Sequence, residues 1–71
     1  MRKERLQEIA RMILSQLNIH GEISLLKTVA TLQYEFGLTR EKILEYLHVL
    51  EDLGRFALDD EHDKITKISV S

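Results

Sequence analysis

The order of structural elements is decided by residues 37–56, which read GLTREKILEYLHVLEDLGRF. Gly37 follows an apolar helical stripe, and glycine takes a left-handed backbone more cheaply than any other residue. Thr39 is suited to cap a new helix through its hydroxyl group. Apolar residues then recur at helical spacing, at Ile43, Tyr46, Leu47, Leu50 and Leu53. The stretch therefore predicts a tight turn and then a helix over about residues 40–54, which Gly54 ends.

Two amphipathic helices are predicted before this turn. The first covers about residues 2–18 and ends ahead of Gly21, with its apolar stripe at Leu6, Ile9, Ala10, Ile13, Leu14 and Leu17. The second covers about residues 25–36, with Ser24 as its cap. Its stripe consists of Leu25, Val29, Leu32 and Phe36, with Leu26 beside it. Glu22 and Ile23 lie between the two helices and predict a brief strand.

A hairpin is predicted over residues 55–70. Apolar residues alternate at Phe56 and Leu58, and again at Ile68 and Val70, as in half-buried strands. The polar run DEHD between the two segments is the predicted tip of the hairpin.

This succession of elements resembles the winged helix-turn-helix superfamily over nearly the whole chain. The resemblance rests on FGLT at the turn, on the LGRF that leaves the third helix, on the hairpin, and on Ile43, Leu47 and Leu50. The chain is also similar to small archaeal winged-helix domains of transcription and replication proteins. The resemblance implies a mainly α fold with three helices, a short strand and a C-terminal two-stranded wing. It also implies that residues 1–71 form one domain, although a fold alone does not determine function.

Composition narrows the functional classes. The chain has 71 residues, no cysteine and a net charge of −2, so disulfides and thiolate metal sites are excluded. We expect an intracellular protein, of cytoplasm or nucleoid, because no signal peptide or membrane-spanning run is present. We expect no enzymatic activity, cofactor or metal. DDEHD is interpreted as a wing turn rather than a calcium loop, and His48 with Asp52 as a surface ion pair rather than half of a metal site.

The resemblance implies a DNA-binding module, such as a small transcriptional regulator or a DNA-associated factor. In the family, the start of the third helix faces the major groove of duplex DNA. The candidate DNA-binding residues are Thr39, Arg40, Lys42, Lys27, Arg2, Lys3 and Arg5. A homodimer is expected for sequence-specific binding, with a surface on the first helix that includes Met12.

The charge pattern supports a second hypothesis. Residues 40–53 carry two cations and four carboxylates, and the wing is also acidic, whereas the first helix is basic. An acidic face on the third helix suits a protein partner with a basic or amphipathic segment. The residues of this face are Glu41, Leu44, Glu45, His48 and Asp52. Such a face is also common as a plain solvated surface, so the sequence leaves both hypotheses open. Under the second hypothesis, the chain is interpreted as a domain of a larger replication or transcription machine.

Overall fold

Three helices and a three-stranded antiparallel sheet are present in a computed structural model, which describes residues 2–68. The helices are α1 (Lys3–His20), α2 (Leu25–Phe36) and α3 (Arg40–Asp52). The strands are β1 (Glu22–Ser24), β2 (Ala57–Asp59) and β3 (Lys64–Thr66). This mainly helical architecture is compatible with a winged-helix layout.

The helix boundaries on either side of the tight turn are confirmed. Gly37 is left-handed, with φ 63° and ψ 30°, and its N–H donates to the carbonyl four residues earlier at 2.8 Å. The hydroxyl of Thr39 accepts the N–H of Lys42 at 3.2 Å, and the hydroxyl of Ser24 accepts the N–H of Lys27 at 3.2 Å. Local sequence signals therefore account for both ends of α2 and for the start of α3.

The predicted end of the first helix at residue 18 is wrong by two residues. α1 continues to His20, and the first left-handed residue is Gly21, with φ 81°. The N–H of Gly21 donates to the carbonyl of Leu17 at 2.8 Å. The helix thus runs to the position where only glycine takes the required backbone without strain.

The predicted end of the third helix at residue 54 is also wrong, because α3 ends at Asp52. The N–H groups of Gly54 and Arg55 donate back into the last helical turn at 2.9 and 3.0 Å, which is a Schellman closure. Leu53 therefore lies outside the helix and is 62% exposed, contrary to its predicted place in the buried stripe. The same turn directs the chain inward again, since Phe56 is fully buried.

The sheet has the order β1–β3–β2, so the last strand is the central one. Ile23, Ile65 and Leu58 are aligned across the three strands, and Ile65 is fully buried. The predicted pattern of Ile68 and Val70 as strand residues is corrected. β3 ends two residues before Ile68, which is 41% exposed, and Val70 lies outside the described residues. Pairing of β3 with the distant β1 determines which isoleucine faces the core.

The core lies between the three helices and one face of the sheet. The stripe of α1 is confirmed at its centre, whereas Leu6 and Leu14 are half-buried. On α2, Phe36 is half-buried and Leu26 is 57% exposed, so the predicted stripe is narrower than expected. The most deeply buried side chains are Ile9, Ile13, Leu17, Val29, Leu32, Ile43, Leu47, Leu50, Phe56 and Ile65.

Candidate nucleic-acid interface

The start of α3 presents two cations at a capped helix end. The side chains of Arg40 and Lys42 are exposed. Nζ of Lys42 lies 3.5 Å from Oε2 of Glu45, whereas Arg40 forms no ion pair within residues 2–68. The first N–H groups of a helix have no acceptor inside the helix, and the helix dipole favours an anion there. Arg40 is therefore well placed to meet an external anion, whereas the Thr39 hydroxyl oxygen already accepts a backbone bond.

The basic start of α1 lies close to this helix end. The guanidinium carbon of Arg5 lies 5.0 Å from the centroid of the Phe36 ring, at the last residue of α2. A cation over an aromatic face at this distance gains about 0.5–1 kcal/mol at an exposed site. Phe36 precedes Thr39 by three residues, which span at most about 11 Å. We call the group Arg2, Lys3, Arg5, Thr39, Arg40 and Lys42 the basic end of the molecule.

Lys27 does not belong to the basic end, although it was predicted as a DNA-binding candidate together with those residues. Lys27 lies in the first turn of α2 and lines a groove together with Gln16 and His20 of α1. The other end of α2 carries Phe36, against which Arg5 packs. The two helices are thus antiparallel, and about 14 Å of α2 separates Lys27 from Phe36.

The acidic face predicted on α3 is exposed at Glu41, Glu45, His48 and Asp52. Leu44, the apolar member of that face, is half-buried and packs against the core. The predicted ion pair between His48 and Asp52 is not formed, and Nδ1 of His48 lies instead 3.8 Å from Oε1 of Glu51. The acidic face is therefore a polar surface, because its leucine packs largely against the core.

Glu51 connects α3 to the sheet. Its Oε2 accepts the N–H of Leu58 in β2 at 3.0 Å. The side chain of Glu51 is only 36% exposed, so this carboxylate has a structural contact rather than a free position on the surface.

Asp63 connects the wing tip to the start of α2. Its Oδ1 accepts the N–H of Leu26 at 2.7 Å, and its Oδ2 accepts the hydroxyl of Ser24 at 2.8 Å. Its backbone carbonyl accepts the N–H of Leu25 at 3.1 Å. The negative charge stands at the positive end of the α2 dipole, which is a stabilising position. Sequence reasoning counted Asp63 only as part of an acidic loop.

Two further contacts involve charged residues of the wing. Nδ1 of His62 lies 2.8 Å from Oδ2 of Asp59, and this hydrogen bond holds the pKa of Asp59 below its ordinary value. Nζ of Lys64 lies 2.7 Å from Oε2 of Glu22. That hydrogen-bonded pair raises the pKa of Lys64 above its ordinary value. Asp59 and Asp63 are therefore the wing carboxylates that have partners within the described part of the chain.

The hairpin tip also brings together three possible metal ligands that the sequence did not predict. One ligand atom each from Asp59, Glu61 and His62 lies within 4.8 Å of the others. Glu61 and His62 are exposed, and Asp59 is already bonded to His62. The bonds between Asp59 and His62 stabilise the hairpin turn. Exposed acidic groups of this kind are common on protein surfaces without a bound ion.

Comparisons with family models, with curated proteins and with solved structures found no match to this chain. Between residues 2 and 68, every helix is too short or too polar to span a bilayer.

Proposed function

We propose that the chain is a winged-helix module that binds duplex DNA through its basic end. The observation that supports the proposal is the contact of the Arg5 guanidinium with the Phe36 ring, because Phe36 lies only four residues before Arg40 in the chain. Cations on two helices that converge on one helix N-terminus form a suitable surface for phosphate oxygens. A small transcriptional regulator or a DNA-associated factor would use such a module.

The contacts are mainly to phosphates rather than to bases. Beyond the first turn of α3, the exposed side chains Glu45 and Asp52 would be repelled inside a groove lined with phosphates. Arg40, at the first position of α3, is the side chain best suited to a guanine edge. The affinity for DNA therefore arises at the N-terminal end of α3 rather than along the whole helix.

Salt dependence provides the direct test. Five cations in the basic end, with one contact each, give a slope of about −4.5 in log affinity against log salt concentration. Affinity for a short labelled duplex, measured by fluorescence anisotropy, should then fall about 500-fold between 50 and 200 mM salt. Arg40→Ala should weaken binding and reduce the magnitude of this slope by about 0.9.

Lys67→Ala is the matched control for charge. The N–H of Lys67 donates to the carbonyl of Gly21, so this cation lies past the far end of α1, about 26 Å along the helix from Lys3. The control should leave the slope unchanged. Equal effects of Arg40→Ala and Lys67→Ala, or no binding at low salt, would refute the proposal.

The protein-binding hypothesis for the acidic face ranks second, because Leu44 packs against the core and provides little apolar contact for a partner. Glu45→Gln separates the two hypotheses. It removes a carboxylate and releases Lys42 from its 3.5 Å ion pair, so DNA affinity should rise. A fall in DNA affinity would contradict the proposed contact at Lys42.

A further inference from the structure

An open groove with a volume of about 740 Å³ runs between α1, β1 and α2. Its apolar lining includes Met12, Ile13, Ile23 and Leu32. Its polar edge includes Gln16, Lys27, Thr28 and Thr31. A largely apolar floor with a few polar groups at the edge is the usual composition of a binding groove.

The groove differs in charge from the rest of the chain. The protein has more carboxylates than cations, yet no carboxylate lines the groove, whereas Lys27 does. Glu8 and Glu35 lie one helical turn beyond the lining residues Met12 and Thr31 and do not line the groove. The two carboxylates contacting the strand and helix start beside the groove are engaged within the chain. Glu22 pairs with Lys64 at 2.7 Å, and Asp63 caps α2. Lys27 forms no ion pair within the part of the chain that the structure describes.

The length of the groove matches a helical ligand. Met12 and His20 both line it, and eight residues of α1 extend about 12 Å. An amphipathic helix that binds in a groove usually contacts it through apolar anchors at positions i, i+3, i+4 and i+7. These anchors span about 10.5 Å along the helix axis.

We propose that this groove binds an amphipathic helix of an acidic partner protein, with apolar anchors over Met12 and Ile23, which are half-buried, and a carboxylate beside Lys27. The site is independent of the basic end, because Lys27 lies at the opposite end of α2 from Phe36. A partner could therefore be held while DNA is bound.

The probe is a designed helical peptide with leucines at i, i+3, i+4 and i+7 and glutamates on its flanks. A twin peptide carries lysine at every glutamate position. Each peptide is titrated into the full chain labelled with ¹⁵N. The acidic peptide should shift amides of residues 12–16 and 27–32 and bind at least ten-fold more tightly than its twin. Lys27→Glu should weaken the acidic peptide about five-fold and favour the lysine twin, as expected for one rim charge pair made repulsive.

Thr31→Glu and Ala30→Glu form the matched pair of variants. Both residues are exposed on α2, but only Thr31 lines the groove. Thr31→Glu should weaken the acidic peptide at least ten-fold, since like charges oppose each other at the interface, while Ala30→Glu should have no effect. Circular dichroism checks that both variants fold.

Equal affinity for the two peptides, shifts outside the groove, or equal effects of the two variants would overturn the proposal. The same conclusion follows if sedimentation shows a homodimer that Thr31→Glu dissociates while no peptide binds. In that case a second copy of the chain would occupy the groove, in agreement with the dimer surface that the sequence predicts around Met12.

Discussion

Replacing Asp63 by alanine removes the connection between the wing tip and α2. The substitution deletes two side-chain bonds, to the N–H of Leu26 and to the hydroxyl of Ser24. Loss of a helix-capping acceptor costs about 1 kcal/mol. Asp63 also has φ 53°, where alanine is disfavoured by a further 1–2 kcal/mol or so. We therefore expect Asp63→Ala to lower the free energy of unfolding by about 2 kcal/mol, a large part of the roughly 4–10 kcal/mol typical of a domain this size.

Two other substitutions at this position separate the cost of the lost hydrogen bonds from the cost of the left-handed backbone. Asp63→Gly relieves the backbone strain but not the lost bonds, so it should cost about 1 kcal/mol. Asp63→Asn keeps an acceptor and tolerates the left-handed backbone, so it should cost less than either.

Urea denaturation followed by circular dichroism measures these differences. With a slope of about 1 kcal/mol per molar urea, Asp63→Ala should move the midpoint by about 2 M. Asp60→Ala is the control, because Asp60 is exposed at the same hairpin tip and should change stability by less than about 0.5 kcal/mol. If Asp63→Ala is no more destabilising than Asp60→Ala, the connection does not stabilise the fold.

Three further predictions concern the core and the hairpin. Phe56→Ala should cost about 3–5 kcal/mol and leave much of the chain unfolded in a thermal melt, because Phe56 is fully buried; a native-like melting temperature would contradict this. Leu53→Ala should change the urea midpoint little, whereas Leu50→Ala should cost about 2–5 kcal/mol, and similar losses would show that Leu53 is buried after all. The pKa of Asp59 should return toward its ordinary 3.8 in His62→Ala, as measured by carboxyl NMR. Because the folded pKa is lowered, any stability advantage of the wild type over His62→Ala is present above pH 3.8 and disappears as the pH falls through that folded pKa; an unchanged Asp59 titration would contradict the role of His62.

Signals that act over a few residues predicted the helices well. Ser24, Gly37 and Thr39 were assigned from residue type alone, and each has the predicted bond or backbone conformation. The predicted ends of α1 and α3 differ from the structure because the position of a glycine does not determine how many of the preceding residues are helical. Leu53 kept the helical spacing in the sequence, but it lies in the closing turn.

Contacts between distant residues were beyond sequence reasoning. Ile65 rather than Ile68 faces the core because β3 is aligned with β1, which lies more than 40 residues earlier. Asp63 caps a helix that begins 38 residues before it, and its position in a polar run gave no sign of that role. Charge counting alone therefore did not show that Asp63 is bonded within the chain.

The positions of the candidate DNA-binding residues follow in part from the sequence. Arg40 and Lys42 follow from the position of the third helix, and both are exposed. The contact of Arg5 with Phe36 depends on how α1 packs against α2, which residue spacing does not specify. The same packing separates Lys27 from the other candidates and makes it part of the apolar groove.

A titration of the ¹⁵N-labelled chain with a short DNA duplex at low salt tests the proposed function most directly. We expect amide shifts concentrated at residues 2–5 and 39–42, with little change at the hairpin tip and in the groove that contains Lys27. These shifts should vanish as salt is raised, since they arise from phosphate contacts. Shifts confined to residues 59–64, or no shifts at low salt, would contradict DNA binding through the basic end.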